Sequence, residues 1–178
     1  SREEIARWNS ELEARVQQRT RELATLVTSS HALASTLELD ALFAILMQET
    51  REVVPMAEGI ALLLLDEATQ TLVVRSSFGL DAEESARLRF KVGEAIAGKV
   101  FASQAPALFQ TKQDVRAAQA NFSAENLAQF SRAVGAREVF SAVGVPLISK
   151  GARMGALMLY NFTRPAAFAA SDTPILQA

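Results

Sequence analysis

Apolar and polar positions change rhythm along this chain, and the first rhythm is the most regular. From residue 2 to about residue 37 the steps alternate between three and four. Ile5, Leu12, Val16, Leu23, Leu26, Leu33 and Leu37 supply apolar positions, while Asn9, Arg19 and Ser30 fill the rest of the same stripe. No glycine or proline interrupts the segment. The spacing predicts one long helix with a heptad seam, Ile5 at d and Asn9 at a. The outer surface carries both signs of charge, among them Glu3, Glu4, Arg7, Glu11 and Arg15. A lone helix with so narrow a stripe is marginal in water. Parallel pairing with a second copy buries the stripe, and folding back onto the chain's own domain is the alternative. The heptad fidelity favours the parallel homodimer, with Ile5, Asn9, Leu12, Val16, Arg19, Leu23, Leu26 and Leu33 at its interface. An asparagine at a fixes register and a two-stranded state. Arg19 at d must turn its charge outward.

A break is expected at residues 38–39, after which Asp40 caps a second helix running through residue 54. Its apolar face comprises Leu42, Phe43, Leu46, Met47 and Val53, and Pro55 and Gly59 close it. The pattern then shortens. Strands are expected at 59–65 and 71–77, a helical turn near 81–87, a short strand at 89–92, a helix from Gly93 to about 104 and a short strand at 105–109. Residues 110–138 are the least regular, with one helix capped by Ser123 that buries Leu127, Phe130 and Val134. The clearest signal follows. Two apolar runs, 142–148 and 154–162, flank the polar break at 149–153, which marks a hairpin. Met154, Ala156, Met158 and Tyr160 share one face, while Gly155, Leu157 and Leu159 share the other. A strand apolar on both faces needs cover on both faces, so helices should pack above and below. Pro146 points to a bulge or an unpaired position. Gly144 and Gly155 mark places of close backbone approach. Ser171, Asp172, Thr173 and Pro174 form a helix start.

Composition narrows the chemistry. Of 178 residues, 49% are hydrophobic and 21% charged, which supports a packed core. The net charge of -2 leaves no basic stripe for nucleic acid. There is no cysteine, so disulfides, thiolate catalysis and cysteine-based metal sites are excluded. That absence fits a reducing, cytoplasmic setting. No apolar run reaches the ~20 residues that span a bilayer. His31, the single histidine, falls on heptad position b, where a solvated side chain outweighs a catalytic one. One histidine without cysteine also makes a zinc site improbable.

Residues 93–100 read Gly93-Glu94-Ala95-Ile96-Ala97-Gly98-Lys99-Val100. A helix start of this kind offers amides to an anion, but no lysine–hydroxyl pair follows, so tight helix–sheet packing is favoured. The segment matches G-x-G-x-x-G-x-V except that Ala95 replaces the middle glycine. Val145-Pro146-Leu147 then precede Gly151 and Gly155, and Asn161 precedes Phe168 and Asp172. In this order and spacing they resemble the GAF domain family over roughly residues 39–178. The resemblance implies an α+β, PAS-related fold. Its central antiparallel sheet would have about five or six strands flanked by helices. A long signalling helix at 1–37 would precede a sensory domain at 38–178. It also implies a small-molecule cavity between the sheet and the helices carrying Ile96 and Leu127. Candidate lining residues are Phe78, Ile96, Val100, Phe109, Phe122, Leu127, Phe130, Arg132, Ser141, Val143 and Tyr160, with Arg137 and Asn161 as further polar candidates. Asn161, Phe168 and Asp172 resemble part of the N-K-F-D-E signature of cyclic-nucleotide-binding relatives. Phe162 stands where its lysine belongs and Thr173 where its glutamate belongs, so the Lys–Asp pair is missing; a cap and staple for the last helix is the better account. Bilin-binding relatives and methionine sulfoxide reductases of this fold work through cysteines, so neither a covalent bilin nor that activity is expected. Residues 12–23 resemble the L-E-x-R-V-x-x-R-T-x-E-L segment of bacterial sensor histidine kinases. The expectation is therefore a non-catalytic regulatory module that dimerises and passes ligand occupancy to an output domain beyond Ala178. A ligand-free spacer is the alternative.

Overall fold

The computed structural model describes residues 1–29 and 32–169, and within 22–37 the backbone alone. The helical rhythm becomes two helices, α1 (Arg2–Ser29) and α2 (Ala32–Val53). The expected break at 38–39 does not occur: Glu38, Leu39 and Asp40 lie inside α2, so Asp40 is an interior position and not the helix's first residue. Nothing local stops a helix there, because neither glycine nor proline occurs between Ala32 and Val53. The chain forms two compact units, Ser1–Leu42 and Phe43–Ala178. In the first, Ile5, Leu12 and Val16 are exposed along α1, as are Asn9 and Arg19. Leu23, Leu26 and Leu33 belong to the side chains outside the described residues.

The second unit is built on a six-stranded antiparallel sheet. Its strands are β1 (Gly59–Asp66), β2 (Thr71–Phe78), β3 (Arg89–Lys91), β4 (Ala107–Phe109), β5 (Ser141–Ser149) and β6 (Ala152–Asn161). Their order is β3-β2-β1-β6-β5-β4. The hairpin β5–β6 lies inside the sheet, between β1 and β4, and its residues are apolar on both faces. On β6, Ala156, Met158 and Tyr160 enter one core, and Leu157 and Leu159 enter the other. The first core lies under α3 (Ala82–Ala86), α4 (Ala95–Ser103) and α6 (Ala124–Ala133). The second holds Phe43 and Met47 of α2, then Val54, Ala57 and Phe168. Leu42 and Val53, expected on the buried face of this helix, are exposed. Gly155 is where β1 comes closest: a Cβ there would overlap the Leu63 carbonyl oxygen. The register shifts between Leu147 and Ile148, one residue beyond Pro146, which itself lies opposite Ala156. A second shift, between Leu62 and Leu63, marks a bulge at Arg75.

The irregular stretch contains two helices rather than one. α5 (Lys112–Ala118) is capped by Thr111, whose hydroxyl accepts from the Asp114 N–H at 3.1 Å. Ser123 caps α6 as expected, accepting from the Asn126 N–H at 3.1 Å. Leu127 is a further correction. It is 53% exposed, while Gln129, Phe130, Ala133 and Val134 are buried. Gln129 can be buried because its amide donates to the backbone oxygen and carboxylate of Glu84, both at 2.7 Å.

Candidate functional site

The α4 start is shaped for packing. Gly98 sits so close to β3 that a Cβ would lie 2.5 Å from the Lys91 carbonyl oxygen. Glu94, in extended conformation, precedes the helix and ties three segments together. Its carboxylate accepts from the Lys91 N–H at 3.0 Å, the Ser123 N–H at 3.1 Å and the Asn126 amide at 3.0 Å. Burial alone would raise the Glu94 carboxyl pKa. The donated hydrogen bonds and the Lys91 charge outweigh it, and the net shift is downward. Asn121 completes the join: its amide donates to the Gly93 oxygen and its side-chain oxygen accepts the Ala95 N–H at 2.9 Å. An amide that an anion would need is therefore taken, and a carboxylate already stands at this helix end.

Behind α4 and α6 the sheet face carries a run of rings. Phe90 and Phe122 have centroids 5.4 Å apart, Phe122 and Phe130 5.5 Å, Phe130 and Tyr160 5.8 Å, and Tyr160 and Phe162 6.3 Å. The guanidinium carbon of Arg137 closes the run, 4.0 Å from the Phe162 centroid. These are favourable ring geometries, and each buried ring contributes roughly 1.5–3 kcal/mol. Tyr160 is 4% exposed, and its hydroxyl makes no hydrogen bond among the described residues. Burial pushes its pKa upward.

The predicted lining residues separate. Ile96, Val100, Phe130 and Tyr160 lie together in this core, with Phe109 and Phe122 packed against it. Val143 and Phe78 belong to the opposite core. Leu127 faces outward. The polar candidates are engaged elsewhere. Arg132 bonds Gln129 at 2.6 Å and Glu84 at 3.4 Å. Arg137 donates to the Val134 and Gly79 oxygens, each at 2.6 Å. Ser141 donates to the Arg164 oxygen and accepts the Ala167 N–H. Asn161 donates to the Met56 oxygen and accepts the Arg164 N–H at 2.8 Å. It thus organises a turn at 161–164, while Phe168 is buried at 2% exposure. Asp172 and the expected last helix lie outside the described residues. Glu94, Asn121 and Asn126 had no sequence signal as a set. The one local cue was Ser123, whose cap fixes Asn126 in the first turn of α6. Among the described residues no three His, Cys, Asp or Glu side chains converge as a metal site would require.

The sequence model of the GAF domain family matches residues 36–178. No curated protein matches the chain. Among solved structures, the chain is similar to the GAF domain from an Acinetobacter phosphoenolpyruvate-protein phosphotransferase. The identity is 21% and the TM-score 0.59, over 88% of this chain and 83% of that one. It is also similar to a domain of a putative two-component sensor histidine kinase protein from Sinorhizobium meliloti 1021. There the identity is 20% and the TM-score 0.55, over 82% and 84%. A third likeness is to a type II free methionine-R-sulfoxide reductase from Thermoplasma acidophilum, at 13% identity and TM-score 0.59, over 79% and 86%. At these identities the likenesses speak to fold.

Proposed function

The chain belongs to the GAF domain family, and on that footing we propose that it is a non-catalytic regulatory module of a bacterial signalling protein. Its relay would be a parallel homodimer formed through α1. The observation that carries the relay is the exposed stripe on that helix. Ile5 is 62% exposed, Leu12 60% and Val16 58%, at the spacing of a heptad seam. Apolar side chains so placed are stabilised by pairing with the same stripe on a second copy. α2 then lodges Phe43 and Met47 in the sheet core, so a shift of this helix is felt by the sheet. The likeness of residues 12–23 to sensor histidine kinase helices supports a kinase as the parent protein, cytoplasmic at this segment, with an output domain following. Among the described residues no helix is long and apolar enough to cross a membrane.

Sedimentation velocity tests the relay. The chain should sediment as a dimer at tens of micromolar, roughly where a pair worth ~6–8 kcal/mol associates. Leu12→Asp with Val16→Asp should give a monomer that keeps its sheet by circular dichroism. A wild-type monomer at that concentration ends the proposal.

A small molecule between the sheet and α4/α6 is the second reading, favoured by the Tyr160 hydroxyl, which has no hydrogen bond among the described residues. Against it stand the rings that fill this face and the engaged arginines. Native mass spectrometry tests it: bare protein across preparations ends the cavity reading and leaves the relay alone.

A further inference from the structure

The arginines on the ring-filled side are engaged, but one on the opposite side is differently placed. Arg51 stands in the last turn of α2, its guanidinium carbon 3.8 Å from the Phe78 centroid. Among the described residues it has no carboxylate partner and no hydrogen bond. Beside it is an open groove of about 670 Å³. That volume is within the range of small-molecule sites. Met47, Pro55 and Ala57 supply apolar lining, while Gln48, Glu52 and Ser76 supply polar groups.

The bulge at Arg75 creates this arrangement. Ser76 pairs with Leu62 and Phe78 with Ile60, and both partners belong to the α2-side core. Side chains alternate along a strand, so Ser76 and Phe78 share the α2 side. β3 pairs only with Thr71, Leu72 and Val73, so the later half of β2 has no outer neighbour in the sheet. The groove opens at that edge.

We propose that this groove binds a small organic monocarboxylate with an apolar body, anchored by Arg51. A guanidinium presents a planar fork that fits a carboxylate. Stacking on Phe78 holds that plane while keeping the charge. The Ser76 hydroxyl, without a hydrogen bond among the described residues, is a second donor. Met47, Pro55 and Ala57 receive the apolar body. Glu52 lines the same groove, 3.5 Å from the Gln48 amide, and the carbonyl end of α2 lies nearby. Both repel negative charge, which favours a monoanion over a phosphate dianion. The bound acid would join the end of α2 to β2. The site stands on its own geometry, apart from the dimer and the ring-filled face.

Benzoate and phenyl phosphate are suitable probes, titrated into the whole chain at constant ionic strength and followed by two-dimensional amide NMR. Benzoate should give saturable shifts of the Arg51 side-chain N–H and of the Ser76 and Phe78 amides, with phenyl phosphate weaker. Arg51→Gln should weaken benzoate roughly tenfold or more, the worth of a charge-assisted pair. Its thermal melt should be unchanged, because Arg51 is exposed. If that melt does fall, Ser76→Ala carries the test, with a loss of roughly threefold. No saturable shift up to ~10 mM, a range that reaches very weak binding, would overturn the proposal. So would an Arg51→Gln variant that binds equally well, or shifts centred on Val100 and Phe130. The dimer is judged by sedimentation, so either idea can fail without the other.

Discussion

Three alanines, Ala95, Ala136 and Ala166, occupy left-handed backbone, and the surroundings of the first two set opposite expectations. Ala136 has φ 58° and Ala95 φ 57°. An L-residue there costs roughly 1–2 kcal/mol, while glycine costs about 0.5–1 kcal/mol in lost chain freedom. Ala136 is exposed, so its methyl packs against little. Ala136→Gly should stabilise by about 0.5–1 kcal/mol, raising the calorimetric Tm by roughly 1–4 °C for a chain of this size. Ala95 is 2% exposed, and removing its methyl forfeits ~0.8 kcal/mol of burial. Ala95→Gly should therefore leave the melt nearly unchanged. Glu94 adds a pH-dependent prediction. Its folded pKa lies below its ordinary 4.5, so the unfolded state binds the proton more readily. The carboxylate's contribution is present above pH 4.5 and fades as pH falls through the folded value. Glu94→Gln should cost about 1 kcal/mol near neutral pH. Denaturant midpoints measured across the acid range should converge with wild type below that value.

Among the elements, α6 shows what periodicity reveals and what it conceals. Its start was legible in Ser123, and Ser123→Ala should cost about 1 kcal/mol in a denaturant titration. Its buried face was only partly legible. Leu127, Phe130 and Val134 recur at helical spacing, yet Gln129 is buried and Leu127 is not. The partner that satisfies Gln129 is Glu84, 45 residues away, and local spacing carries no trace of it. α5 was missed because seven residues with Val115 as the buried one make no period. The cue present was Thr111 with Asp114 three positions on, a capping pattern. The hairpin was legible because strands covered on both faces are apolar throughout. The side that Phe78 faces was not, since it depends on the bulge at Arg75.

In the folded unit as a whole, the sheet is enclosed on one side by α3, α4 and α6. On the other side Phe168 contributes to the closing layer, held in place as its carbonyl oxygen accepts from the Gln110 amide at 3.2 Å. Phe168→Ala should destabilise by about 3–5 kcal/mol. Chemical denaturation would reveal it as an earlier midpoint with an unchanged slope. The chain holds one tryptophan and one tyrosine. Trp8 is 71% exposed on α1, whereas Tyr160 is buried in the core of the sheet-bearing unit. Each compact unit thus carries its own natural chromophore. Light at the red edge of the aromatic absorption excites indole alone, so its emission colour follows the helix and any mate that shields it. Loss of the near-ultraviolet circular dichroism of the phenol follows the sheet. A single unlabelled sample can therefore show whether paired helices separate before, with or after melting of the sheet's core.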